Sequence, residues 1–267
     1  MKKYISMLRM KFIAGVQYRA AAFAGILTQY AWGGMEILIY RCFYMENQTS
    51  FPMEMQALSS YIWLQQGFFL LFSVWVFEND IFEMITQGNI AYELCRPCDL
   101  YNMWMFRSMG MRLSRAALRC FPVFAVAAFL PAPYGLKLPP DLAAAGLFVV
   151  SGILGFLNVV AFGMLIYIST FFTISVQGTR AFCAAVVELL SGQVIPLPFL
   201  PDGIRQTVEL LPFASMENAP LRIYGGDISG MQAIWTIFLQ LFWLAAMVLA
   251  GRLLIQKALR RVVVQGG

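Results

Sequence analysis

Cys95 and Cys98, in the stretch GNIAYELCRPCDLYNMW at residues 88–104, have the Cys-x-x-Cys spacing of a zinc knuckle or a dithiol redox pair. A structural zinc site takes four ligands, and the chain offers neither a second such pair nor any histidine to complete one. Dithiol redox chemistry usually accompanies a thioredoxin-like βαβ pattern, which is missing. Two reduced cytoplasmic thiols are the simpler reading, and no metal site is expected. The lack of histidine also removes Ser-His hydrolases and haem proteins with an axial histidine. No G-x-x-x-x-G-K-S/T loop occurs, so the chain does not itself cradle ATP phosphates in the usual way. No catalytic residue is assigned.

Two carboxylates stand out by their surroundings. Glu36 and Glu188 fall inside long apolar runs, where a charge costs about 2.5 to 3.5 kcal/mol even on lenient insertion scales. They must face protein or water. One reading makes them the polar lining of a substrate path or a cation-binding point. The other is structural: Glu36 lies five residues from Arg41, and Glu188 has Ser191 on its own helical face. Asn158 is a further polar membrane site, and with Gln29 and Gln177 it suits interhelical hydrogen bonding. Cys42, Cys120 and Cys183 are read as small apolar residues. Most of the tryptophans fit an interfacial belt.

The elements that position these groups follow from composition. Of the 267 residues, 60% are hydrophobic and 12% charged, against about half and about a quarter in a soluble domain. This is the composition of an integral membrane protein. Six stretches, at 22–44, 57–77, 103–130, 141–168, 180–200 and 231–256, approach or exceed the roughly 20 residues that cross a bilayer as a helix. Strand-like alternation is absent over these lengths, so an all-α fold with six spans is expected. Placing the N-terminus in the cytoplasm puts 15 of the 19 basic residues inside and leaves Arg41, Lys137, Arg205 and Arg222 outside. Both termini are therefore expected to be cytoplasmic. The net charge of +5 is a topology signal and implies no nucleic-acid partner. The basic start MKKYISMLRMKF lacks a signal-peptide cleavage pattern and is expected to stay attached.

Ile5, Leu8, Phe12 and Val16 have helical spacing, which predicts an interfacial helix over 1–20. After the second span, at 78–100, Asp80 and Glu83 have the form of a capping box, and Gly88 is a natural helix stop. Asn89 can cap a second turn that must end before Pro97, and Asp99 can cap the third span. Arg107, Arg112, Arg115 and Arg119 then belong to the cytoplasmic interface. At 196–229, Pro196, Pro198, Pro201 and Pro212 interrupt an apolar segment, which predicts a broken external helix pair of re-entrant type. No repeat or linker divides residues 1–267, so one domain is expected.

Three stretches resemble one family. GNIAYELCRPCDLY is similar to the cytoplasmic G-x-I-x-x-x-L-x-R-P signature of type-2 ABC exporter permeases of about this length. SGQVIPLPFLP with LLPFASMENAPLRIYGG resembles that subgroup's region between its last two spans, and the ending ALRRVVVQGG its C-terminus. The resemblance implies a bacterial cytoplasmic-membrane subunit that pairs with a second permease, identical or paralogous, and docks two ATP-binding subunits. It implies no cofactor in this chain, with ATP and Mg handled by the partner. It places a coupling helix in the loop after span two, built from Asp80, Phe82, Glu83, Gly88, Ile90, Tyr92, Glu93, Leu94, Arg96 and Pro97. It also places an external gate at Pro196, Pro198, Pro201, Pro212 and Phe213. Cys95 and Cys98 inherit no role from it. The substrate implied is amphipathic or hydrophobic: a drug-like compound, a lipid or a peptide. Two other classes are open to such a chain: an ion-coupled secondary transporter using Glu36 and Glu188, for which the expected inverted repeats are missing, and an intramembrane lipid-modifying enzyme, for which clustered catalytic groups are missing.

Overall fold

A computed structural model describes residues 1–17 and 19–260. Among these the chain is helical throughout, with 76% helix and no strand. The ending ALRRVVVQGG lies largely outside the described residues.

The first helix, α1 (Lys2–Val16), lies along the N-terminal half of α6 (Leu100–Phe129). Close approach is possible because α6 offers small residues: a Cβ at Gly110 would stand 2.5 Å from the Leu8 carbonyl oxygen. The face that α1 turns inward runs through Tyr4, Leu8, Lys11 and Gly15, so Ile5 from the expected apolar stripe stays exposed. The Tyr4 hydroxyl accepts from the Asp99 backbone N–H at 3.0 Å, and the Tyr4 ring meets Phe106 at 5.8 Å.

Beyond it, α2 (Arg19–Glu46) packs against α3 (Met55–Phe72) and α6. The longest apolar helices, α7 (Leu142–Ser169) and α11 (Gly230–Leu259), pack on each other. By length and composition these two can cross a membrane. The other long helices carry more polar residues, including the four arginines of α6. The fifth expected span, at 180–200, is instead α8 (Val176–Leu190), followed by non-helical chain in which Gly192 takes a φ of +83°. Its 15 residues reach about 22 Å, short of a hydrocarbon core of about 30 Å. The helix stops early because Gly192 favours the left-handed region and Pro196 cannot continue a helix.

The proline-rich segment breaks where its sequence predicts, into a 3-10 turn at Leu197–Phe199, α9 (Asp202–Glu209) and α10 (Asn218–Gly225). Residues 214–221 are buried against α7 and α3. Gly155 of α7 admits the segment, since a Cβ there would lie 2.2 Å from the Met216 carbonyl oxygen. Protein thus covers this irregular backbone, the condition for tolerating it at membrane depth. Asn158 and Gln240 complete the seal. Asn158 Nδ2 donates to the Gln240 carbonyl at 3.1 Å, and Gln240 Nε2 donates to the carbonyls of Ser151 at 3.1 Å and Ser215 at 2.9 Å. Gln177, by contrast, is exposed in the first turn of α8.

Candidate functional site

After α3 the chain runs in non-helical conformation through residues 73–78 into two short helices, α4 (Asn79–Thr86) and α5 (Ile90–Leu94). Such a link leaves carbonyls without helical partners. Arg112, reaching across from α6, donates to those of Ser73 at 2.6 Å and Val76 at 2.7 Å. It is fully buried, as is nearly all of Arg107. Both arginines, expected at the cytoplasmic interface, are thus turned into the protein, where α1 and the 73–78 link cover them.

Glu78, at the head of α4, is the hub. Its carboxylate accepts from Arg107 Nε at 2.9 Å and pairs with Lys11 Nζ at 2.5 Å, while its backbone N–H donates to the Tyr167 hydroxyl at 2.7 Å. One residue thus ties α4 to α1, α6 and α7. From below, Phe82 packs on Tyr167, and the Arg180 guanidinium lies over the rings of Phe77 and Phe82 at 4.9 and 4.7 Å. Arg180, two residues before Phe182 in α8, therefore connects that helix to the same hub.

The capping-box expectation fails here. Helix α4 begins after Glu78, with no side-chain cap, and Asp80 lies in its first turn at 3.8 Å from Lys11 and 3.6 Å from Arg107. Nearby cations compete for Asp80, and the buried Glu78 fixes the helix start. Asn89 likewise makes no capping bond for α5. Asp99 does cap α6, accepting from the Asn102 N–H at 2.8 Å, and Gly88 ends α4 with a φ of +75°.

The sequence-predicted contact residues divide by exposure. Phe82, Ile90 and Glu93 are buried, and they brace the pair from beneath. Asp80, Glu83, Gly88, Tyr92, Leu94, Arg96 and Pro97 face outward, with Tyr92 75% exposed. Arg96 pairs with Glu93 at 3.3 Å. Cys95 is exposed and Cys98 half-buried. The brace residues Lys11, Glu78, Arg107, Arg112 and Tyr167 lie outside the sequence-predicted set. Glu78 carried a signal, a carboxylate at the end of the apolar run VWVFEND, as did Arg107 and Arg112, charges within the third expected span.

A second feature is a cavity of about 1280 Å³ between α2, α3 and the region after α8. Both Glu36 and Glu188 line it. Each makes a structural hydrogen bond, though not with the partner its sequence neighbourhood suggested. Glu36 accepts from Gln66, while Arg41 lies over the Tyr134 ring at 5.2 Å. Glu188 accepts from Trp75 Nε1, and the Ser191 hydroxyl is buried without a partner. Asn158 is elsewhere, sealed between α7 and α11.

Gln29, expected to hydrogen-bond between helices, is unpartnered and lines the cavity. Near the end of α2 the rings of Tyr40, Tyr44, Phe51 and Phe199 close on one another at 5.0 Å spacings. Pro196 and Pro198 are buried beside them, Pro201 is exposed, and Phe213 packs on Phe162 at 5.6 Å. Phe199, in the aromatic closure, is absent from the sequence-predicted gate. Arg222 ties α10 to Glu209 of α9 and to Asp227.

No curated protein matches the chain. The family model described as ABC-2 family transporter protein matches residues 31–266, which takes in the α4–α5 pair and the cavity lining except Gly25, Thr28 and Gln29. The chain therefore belongs to the ABC-2 transporter family, as a membrane permease subunit.

Proposed function

We propose that this chain is the permease half of an ATP-driven exporter of the bacterial cytoplasmic membrane, with six spans, the fifth completed by the non-helical chain that follows α8, and both termini inside. A second permease, identical or paralogous, completes the path, and two ATP-binding subunits supply the energy through ATP and Mg. The substrate is amphipathic or hydrophobic and passes through the cavity lined by Glu36 and Glu188. The α9–α10 region with Pro196, Pro198, Pro201, Pro212 and Phe213 forms the outer gate.

One observation carries this reading. The α4–α5 pair presents Tyr92, Leu94 and Arg96 outward while Glu78 fastens its base to α1, α6 and α7. A short helix held rigidly to three long ones passes a push on its exposed face to the whole body. That is the requirement for rigid-body rotation of two halves about an interface. The ATP-binding subunit grips that face.

Co-purification with the ATP-binding subunit and ATP hydrolysis in lipid discs test the proposal. Tyr92→Ala removes an exposed ring whose loss leaves the fold intact, and it is expected to lower substrate-stimulated hydrolysis at least about fivefold, a loss of about 1 kcal/mol in the contact. Arg96→Glu is expected to uncouple hydrolysis or assembly while membrane insertion stays normal. Full coupling in both variants overturns the docking assignment. Transport that survives without any ATP-binding subunit favours an ion-coupled carrier.

A further inference from the structure

We propose that the cavity beside α2 binds an amphipathic organic cation, with the charged centre held by Glu36 and Glu188 and the apolar body against aromatic walls. This rests on reading the chain as a permease and names the substrate class of that same cavity.

Charge is the first ground. Glu36, Glu46 and Glu188 line the cavity, against one basic residue, Arg119. The Arg119 guanidinium lies beside Gly25. Gly25 and Glu36 are 11 residues apart on α2, about 16 Å along its axis. The end with Glu36 and Glu188 thus has negative charge and no basic side chain in its lining. Glu217, 1% exposed behind this wall, is within electrostatic range of both Glu36 and Glu188 and leaves one carboxylate oxygen unpartnered.

The second ground is independent of charge. Gln29 and Gln65 are only 4% and 2% exposed, and both line the cavity. Gln65 Nε2 donates to the Gln193 carbonyl, which leaves its Oε1 without a donor. Gln29 Oε1 and Glu36 Oε1 are also without donors, while Gln29 Nε2 and Gln193 Nε2 are without acceptors. Buried acceptors in folded proteins are nearly always satisfied. What this site lacks is hydrogen-bond partners, donors for three acceptors and acceptors for two amide groups, and of these the donors are what a cation brings.

The third ground is shape. Trp32, Glu36 and Tyr40 follow at four-residue intervals on α2, so two aromatic rings flank the carboxylate along one helical face. Phe43, Phe69 and Phe199 extend the wall. Aromatic faces attract cations as well as apolar groups. A bare metal ion needs a tighter cage, and among the described residues no cluster of three or more carboxylates and thiols gathers. A neutral lipid tail fills the walls but leaves the acceptors unpaired, and an anion meets like charge.

Tetraphenylphosphonium and tetraphenylborate, similar in size and opposite in charge, make the test. Saturable binding of each to the full-length chain in phosphatidylcholine discs is measured after subtracting partition into empty discs. The cation is expected to bind at least about tenfold more tightly than the anion. Glu36→Gln and Glu188→Gln, checked by thermal unfolding, are each expected to weaken cation binding about tenfold, corresponding to about 1.4 kcal/mol, and to leave anion binding unchanged or improved. Equal or tighter binding of the anion overturns the proposal, as does undiminished cation binding in both folded variants. The comparison of the two ions on the unaltered chain needs no substitution, so a misfolded variant does not spare the idea. Cation binding without ATP-dependent transport leaves this inference standing and removes the exporter reading; coupled transport with no charge preference does the reverse.

Discussion

Glu78→Gln tests whether the buried hub holds the α4–α5 pair. The substitution keeps the shape of the side chain and the backbone N–H bond to Tyr167, but it removes the charge that Arg107 and Lys11 face at 2.9 and 2.5 Å. Arg107 is 9% exposed at its side chain, so an uncompensated charge is left in the interior. Breaking one side of such a pair costs about 3 to 5 kcal/mol. The lower end applies, because Asp80 remains 3.6 Å from Arg107 but is 70% exposed and worth about 1 kcal/mol or less.

A loss of about 3 kcal/mol corresponds to roughly a hundredfold change in a local opening equilibrium. Hydrogen exchange is the assay: amides in residues 79–94 should lose about two decades of protection while those of α11 stay unchanged. Adding Arg107→Gln removes the orphaned charge and should restore part of the protection, a non-additivity that a double-mutant cycle reads directly. A fall of less than about threefold in the single variant would refute the claim that this ion pair anchors the helix.

Two further predictions concern packing and orientation. Gly155→Ala places a methyl 2.2 Å from the Met216 carbonyl and should lower thermal stability by about 1 to 3 kcal/mol, with residues 210–217 becoming more sensitive to protease; Gly163→Ala, where nothing lies within 4 Å, should do neither, and equal effects in the two would sink the close-approach argument. Cys95 is exposed, so with cytoplasmic placement of the α4–α5 pair a membrane-impermeant maleimide should label it in inverted vesicles and not in intact cells; labelling from outside would reverse the topology.

Residue order alone determined a good deal. Apolar runs with no alternation leave only helices, because backbone groups in hydrocarbon must pair within their own segment, and the boundaries of α2, α3, α6, α7 and α11 fall close to those runs. Breaks at Gly88 and at the prolines of 196–229 were legible too, since they arise from the conformational limits of single residues. So was the cap at Asp99, a contact that spans three residues. What packing decided lies between elements distant in sequence. Arg112 and Arg107 look interfacial in sequence, and only the fold of α1 over α6 buries them. Asp80 has a capping pattern, yet Lys11 and Arg107 draw it elsewhere. Glu36 and Glu188 are 152 positions apart, and nothing local could place them in one cavity. Charge pairing and cavity formation depend on which surfaces meet in three dimensions, and local pattern carries no record of that choice.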